Sequence, residues 1–424
     1  MRVKNSLVVF SVLAVATAGT LVTGKPIFFN LGCSLLGIAV VSYVWAWYNV
    51  SWVQVDRETL SSRSQVGKVA EERFVLRNRG FLPKLWLEVR DHSDLPEHRA
   101  SMVINSLPPG GEHGWTVRTT CRRRGRYRLG PLSLISGDPF GLFLRRRELT
   151  PISSIVVFPL VVDLPRFGSV GGELAGGGTL HRRTHYVTAN VAGVREYYPG
   201  DSFNRIHWPS TARTGRLIVK EFEMDPTADV WLCVDMDRAV HLERAVRIAR
   251  DAHGELPVLP ARRATALDPA TEEYVVAAAA SIARYFIRHK RAVGLVAYSE
   301  SREVVQPDRG ERQLSKILET LAVLRAEGRV SIDRVLAAEG SLLGRNSVMV
   351  VVTPSTDAAW AGALRDLGRR GVRGIGVVID PEGFGSRQTA AGILQVLASA
   401  GIPAYRVREG DSLAAALASP VLPS

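Results

Sequence analysis

Two uncharged stretches open the chain, at residues 6–24 and 27–50, with only Lys25-Pro26 between them. A helix needs about 20 apolar residues to cross a bilayer, so each run suffices, and the short join predicts a transmembrane helical hairpin. Between 53 and about 159 the pattern shifts to short alternating runs at 69–78, 84–90, 115–121, 127–136 and 155–158. Gly80, Pro108 to Gly111 and Gly137-Asp138-Pro139 supply turns, and no strong helical period interrupts. An antiparallel β-sandwich is the expected result. After Ala228 apolar strands at 230–234, 292–298, 347–352, 372–379 and 403–407 alternate with helices at 272–290, 310–326, 358–370 and 388–400. Continuous apolar strands with helices between them predict a parallel sheet covered on both faces, a doubly wound α/β domain.

Charge adds an orientation. Arg2 and Lys4 precede the first apolar run and Arg57, Arg63 and Lys68 follow the second, against Lys25 alone in the join. The positive-inside bias puts both termini and the soluble regions in the cytoplasm of a two-pass protein at the cell membrane. The competing reading is a cleaved signal peptide ending near Ala16-Thr17-Ala18, but a second long apolar run follows at once. Trp45, Trp47, Tyr48 and Trp52 crowd the end of that second run, where amphipathic rings suit the interface or simply pack between helices.

Residues 168–179 hold six glycines and few side chains that could pack, and read as a linker. The domains are therefore expected at 1–52, 53–165, 183–227 and 228–424, with a linker at 166–182. A net charge of +13 is open to nucleic acid, anionic lipid or an acidic protein. No aromatic-interleaved basic module is present, so nucleic acid is not expected. The arginine runs at 122–126 and 145–147 read as solvated strand ends or as contacts to anionic headgroups. Cys33, Cys121 and Cys233 lie too far apart for a metal-ligand spacing and are odd in number, which fits a reducing compartment.

The densest chemistry lies at 193–223. An alternating run leads into Tyr198-Pro199-Gly200-Asp201, a chain reversal in which Gly200 accepts a positive φ. Asp201 faces Arg205 four residues on; His207 and Trp208 follow, Pro209 is expected to end the turn, and 217–223 alternates again. Three readings compete. The charges form a network that ties a long loop down; or Arg195, Tyr197, Asp201, Arg205, His207, Trp208, Arg213 and Lys220 make a partner-binding surface, since exposed Arg, Tyr and Trp are interface anchors; or His207 with Asp201 is catalytic, although no nucleophile or oxyanion donor accompanies them.

Arg195-Glu196-Tyr197, Pro199-Gly200-Asp201, Arg205 to Trp208, Thr211-Ala212-Arg213 and Lys220 to Glu223 resemble the core signature of the domain of unknown function 58 family. Arg124 to Tyr127, Gly130-Pro131 and Asp138 to Phe143 resemble its upstream segment. The resemblance implies a membrane-anchored protein with a von Willebrand factor type A-like domain and a MoxR-type AAA+ ATPase as partner. That domain type uses Asp-x-Ser-x-Ser after its first strand as a metal site. Here Asp235-Met236-Asp237-Arg238-Ala239 keeps the first Asp and replaces both serines, with Asp357 near the expected distal acid and Ser331 near a family threonine. In such sheets ligands sit at the strands' carboxyl ends, which also draws in Thr353 and Ser355. No cofactor is expected; Mg²⁺ is the ion that Asp235, Asp237 and Asp357 would suit. The expected function is a membrane-anchored cytoplasmic adaptor or assembly factor, with a metal-dependent hydrolase at the acidic site as the alternative.

Overall fold

The computed structural model describes residues 3–150, 152–167, 191–197, 206–222, 228–243, 267–344 and 347–421. The glycine-rich run at 168–179 and the turn at 198–201 lie outside the described residues. The chain divides into two compact units, one of residues 1–160, 245–268 and 318–324, the other of 161–244, 269–317 and 325–424.

The first unit starts with two apolar helices, α1 (Val3–Thr23) and α2 (Pro26–Val50). Pro26 opens α2 where its missing N–H costs nothing. The helices touch where Gly19 meets the Phe28 ring, so closely that a methyl at 19 would fall 2.9 Å from the ring edge. Among the described residues α2 is long and apolar enough to cross a membrane, while the apolar part of α1 is the shorter Val8–Thr23.

Ten strands follow: β1 (Val53–Thr59), β2 (Arg63–Gln65), β3 (Val69–Asn78), β4 (Lys84–Asp91), β5 (Met102–Leu107), β6 (Glu112–Thr120), β7 (Gly125–Leu129), β8 (Leu132–Gly137), β9 (Leu144–Leu149) and β10 (Ser153–Phe158). They form three sheets, ordered β1-β3-β6, β5-β4-β8-β9 and β2-β10-β7, antiparallel throughout except for the β2/β10 pair. The first two face each other across a shared core: Val53, Val55, Phe74 and Leu76 from one, Leu87, Val89, Ile104, Leu132 and Leu134 from the other. Each such side chain taken from water contributes about 1.5–3 kcal/mol. Alternation along β3 sets the inward set, with Ala70, Glu72, Phe74 and Leu76 all buried.

Two departures from the sequence pattern have local causes. The run 127–136 is two strands, because Gly130 takes a φ of 93° that only glycine adopts freely and turns the chain out of one sheet into another. The arginine run 122–126 is not uniformly solvated either. Arg124 is fully buried, its Nε and Nη2 donating to the carbonyls of Leu321 and Leu324 in the same unit.

The second unit holds a ribbon of β11 (Val191–Glu196) and β12 (Ile218–Phe222) with α3 (Trp208–Thr214) between them in sequence. The remainder is β13 (Val230–Val234), α4 (Thr271–Arg288), β14 (Val293–Tyr298), β15 (Arg302–Asp308), α5 (Glu311–Val323, whose residues from 318 on fall in the first unit), α6 (Ile332–Glu339), β16 (Val348–Thr353), α7 (Ala359–Arg369), β17 (Arg373–Ile379), α8 (Ala391–Ser399), β18 (Ala404–Val407) and α9 (Leu413–Ala416). Its six-stranded sheet runs β15-β14-β13-β16-β17-β18. All neighbours are parallel except β14 and β15, whose connection through 299–301 is too short for a parallel crossover. Trp231 and Cys233 of β13 pack with Leu336 of α6, Trp360 and Leu364 of α7 and Leu397 of α8. The alternate residues Val230, Leu232 and Val234 point to the other face, where α4 packs with Val275 to Ala280 wholly buried.

Candidate functional site

Of the strip at 193–223, the described residues form β11, α3 and β12. β11 and β12 pair antiparallel, Arg195 opposite Val219 and Lys220 opposite Val194, and Ile206 bridges to Val219. Ile206, Ile218 and Val219 are buried and give the ribbon a small apolar floor. Pro209 does not end the turn; it sits in the first turn of α3, where a proline needs no hydrogen bond and its fixed φ suits the helix. Gly215, at φ 70°, ends that helix instead, its N–H returning to the Thr211 carbonyl.

Polar side chains tie helix to ribbon. Thr211 Oγ1 accepts from the Ile218 amide at 3.0 Å, the His207 amide donates to the Ile218 carbonyl at 2.8 Å, and His207 Nδ1 lies 2.7 Å from Ser210 Oγ. His207 thus has a structural partner within its own helical turn. Trp208, by contrast, is 65% exposed, and Arg213 is exposed beside it in sequence on the same short helix. Tyr197 is half-buried, its amide donating to the Leu217 carbonyl. Arg216, which sequence reasoning left out, pairs with Glu196 at 2.9 Å, both exposed. Asp201 and Arg205 lie outside the described residues, and of Arg195 and Lys220 the strand positions alone are described.

The second cluster lies at the carboxyl ends of β13 and β16. Asp235 is 2% exposed, its Oδ2 accepting the Thr353 hydroxyl at 2.6 Å and its Oδ1 the Asp237 amide at 3.0 Å. Burial pushes its carboxyl up to about 6; the Thr353 and Asp237 hydrogen bonds work against that, and the Asp237 and Asp333 carboxylates add to it. Thr353 Oγ1 also accepts from the Ser355 amide, and Ser355 Oγ from the Asp357 amide at 3.3 Å. Asp237 and Asp357 each cap their own loop, at Ala239 and Ala359. His241 reaches back, Nε2 2.9 Å from the Asp235 carbonyl oxygen.

The loop after β13 is pinned by Gly328, whose amide donates to Met236 O and whose carbonyl accepts from the Arg238 amide. Among the described residues no three His, Cys, Asp or Glu side chains come together as metal ligands. The Asp235 carboxylate holds the Thr353 hydroxyl directly, with the Asp237 carboxylate near enough to raise its pKa and Asp357 linked through Ser355 and Thr353. Ser331 opens α6 without a side-chain cap bond. One ion pair on this edge carried no motif and was missed: the buried Asp380, whose Oδ2 accepts from Nε of the partly exposed Arg406 at 2.7 Å.

A charged cluster in the sandwich was also missed. Arg57 donates through Nε and Nη2 to Glu72 at 3.1 and 2.6 Å and through Nη1 to Asp91 at 3.2 Å. His98 Nε2 lies 3.1 Å from Glu72 and 3.2 Å from Asp91, a charge contact rather than an aligned hydrogen bond. All four side chains are at most 3% exposed. Burial alone would lower the imidazole, but the Asp91 and Glu72 carboxylates raise it to about 9. Burial would likewise raise the two carboxyls, and His98 and Arg57 hold both below the ordinary range.

Residues 193–254 match the family described as Protein of unknown function DUF58. The DUF58 match takes in the ribbon, α3 and the Asp235 loop, but not Thr353 or Asp357. A curated relative, Uncharacterized protein YeaD of Bacillus subtilis (strain 168), is 24% identical over 240 residues, 54% of this chain. The chain spans about half (50%) of that relative's length. Both findings support DUF58. Among solved structures, the CARDB domain of the PF1109 protein from Pyrococcus furiosus is similar over 25% of this chain and 86% of its own, at 20% identity and TM-score 0.19. The alkylpurine DNA glycosylase AlkC of Pseudomonas fluorescens matches over 32% and 41%, at 14% identity and TM-score 0.19. Likeness at that level bears on neither the DUF58 fold nor its role.

Proposed function

We propose that this chain is a membrane-anchored adaptor or assembly factor that binds protein partners, among them a MoxR-type AAA+ ATPase, through the α3 surface of the DUF58 strip. The observation that carries the reading is Trp208, 65% exposed on a helix held by the Thr211 and His207 hydrogen bonds. A large aromatic ring kept in water on a fixed support, with an exposed arginine on the same helix, has the make-up of an interface anchor. Polar groups in the strip meanwhile hold one another, as in His207–Ser210, which favours binding over chemistry.

Two finer points belong to the same reading. The 25 residues of α2 make roughly 37 Å of helix, enough to span a bilayer, and α1 serves as a second pass with both termini cytoplasmic. The sheet, read from its own first strand, has the doubly wound order 3-2-1-4-5-6, and Asp235 ends the first strand. That arrangement supports a von Willebrand factor type A-like domain.

The test is capture of full-length protein from gently solubilised native membranes, with and without ATP, for the native chain and for Trp208→Ala and Arg213→Ala. Nucleotide-dependent retention of an AAA+ ATPase that both variants lose, at unchanged unfolding midpoints, supports the reading. Equal retention by the variants sinks it.

A further inference from the structure

Two turns of the β-sandwich lie against α2 and carry side chains that its core does not use. In the turn 138–143 the buried Asp138 carboxylate accepts from the amides of Phe140 at 2.9 Å and Phe143 at 2.6 Å, and Gly141 takes a φ of 70°. The turn is thereby rigid. Phe143 points along the helices, its ring 5.7 Å from Tyr43 of α2 and 6.4 Å from Phe10 of α1. Phe140, two residues past the capping Asp138, is left 59% exposed, and Leu144 49%.

The second turn holds Phe81, 77% exposed, with its ring 5.7 Å from Tyr48 and 6.4 Å from Trp52. Trp47, 47% exposed, stacks edge-on against Trp52 at 5.5 Å. Both turns are bound to α2 by polar contacts as well. The Leu82 amide donates to Tyr48 Oη at 2.8 Å, and Asn49 Nδ2 donates to the Leu85 carbonyl at 3.1 Å. Lys84 donates to the Tyr48 carbonyl at 2.6 Å, and Arg147 to that of Val50 at 3.2 Å. Arg145 donates to Tyr43 Oη and lies over that ring. The exposed rings are therefore fixed relative to α2, level with the last two turns of that helix and continuous with its apolar surface.

We propose that the β-sandwich is seated in the membrane interface, with Phe140, Leu144 and Phe81 in contact with lipid and Arg145 at the level of anionic headgroups. The inference rests on α2 being a membrane span. A helix that crosses the bilayer carries whatever is clamped to its end to a fixed depth. Aromatic rings beside a cation, at the end of an apolar helix, match the composition of the interface layer. Scattered exposed apolar residues need no explanation. Three rings, Phe140, Phe143 and Phe81, carried on two turns beside one helix end, do.

The test uses full-length protein in vesicles of phosphatidylcholine with phosphatidylglycerol. The background is Cys33→Ser, which leaves the buried Cys121 and Cys233. Nitroxide labels go on Phe140→Cys, Phe81→Cys, Ile38→Cys in mid-α2, and Ser61→Cys past the opposite end of β1. Collision with oxygen relative to a water-soluble nickel chelate should be several-fold higher at 140 and 81 than at 61, approaching 38. Lipid contact at 38 with 140 and 81 matching 61 would overturn the seating and leave the span standing. Aqueous behaviour at 38 itself would overturn both.

Discussion

Thr353 donates its hydroxyl to Asp235 across 2.6 Å, joining the carboxyl ends of neighbouring parallel strands at a point where both residues are buried. The bond offsets part of the cost of keeping a carboxylate out of water. Thr353→Val keeps the shape and removes the donor, so it should destabilise the protein by about 1–3 kcal/mol. Urea unfolding followed by tryptophan fluorescence at neutral pH checks this; an unchanged midpoint would mean that solvent already serves the carboxylate.

Asp235 also sets a pH dependence. Its folded-state carboxyl, at about 6, lies above the ordinary 3.8, so the folded chain holds the proton more tightly than the unfolded one. Below the ordinary value the group costs nothing. As pH rises from 3.8 through 6 the unfolded chain ionises first and stability falls, by about 3 kcal/mol once both forms are charged. Asp235→Asn keeps an acceptor for Thr353 and should raise the unfolding midpoint at neutral pH with little change in acid. Loss of stability at neutral pH, reversed by Mg²⁺ in the native chain alone, would show that the carboxylate is there for an ion.

The sandwich cluster predicts a second loss of stability with rising pH, in a higher window. With His98 raised from 6.5 to about 9, its stabilising charge is fully present below 6.5 and is lost as pH climbs through 9. The amount at stake is about 3 kcal/mol. On the acid side Glu72 and Asp91, held low, withdraw their contribution as pH falls below the carboxylate range. Arg57→Met should be severe, costing about 3–5 kcal/mol, because it strands two buried carboxylates. His98→Gln should be milder and should flatten the alkaline limb of a thermal-unfolding pH series; a limb unchanged in that variant would assign it to another group.

Pattern reached the strands and helices much further than it reached this chemistry. β3, β13 and the helices at α4 and α7 follow their apolar periods closely, because each buries a face that only those periods provide. β15 escaped notice since REVVQPD has no continuous apolar run; it is an edge strand fixed by the short link after β14, a property of the loop rather than of the strand. Glu72 was legible in one respect. It shares the inward parity of Ala70, Phe74 and Leu76, which marks a carboxylate that must be paired. Its partners Arg57, Asp91 and His98 lie on other segments, and no local spacing reveals them. The strip shows the same split: the ribbon and Gly215 follow from alternation and backbone freedom, whereas the place of Pro209 depended on where the helix begins, which Asp201 and Arg205 did not disclose.

Gly328 carries the last prediction. A Cβ at this position would lie 2.2 Å from the Tyr298 carbonyl oxygen and 2.7 Å from that of Met236, both backbone atoms that cannot swing aside. The same residue makes the two backbone hydrogen bonds that hold the loop after β13, to Met236 and from Arg238. Gly328→Ala must therefore push that loop outward, and Asp235 and Asp237 with it, at a cost of about 1–3 kcal/mol for the overpacking. Faster amide exchange at 236–240, together with an earlier onset of Asp235 ionisation as solvent enters, is the expected signature. Gly344→Ala, where a methyl would come no nearer than 3.6 Å to its closest neighbour, Ser347 Oγ, is the matched control and should alter neither.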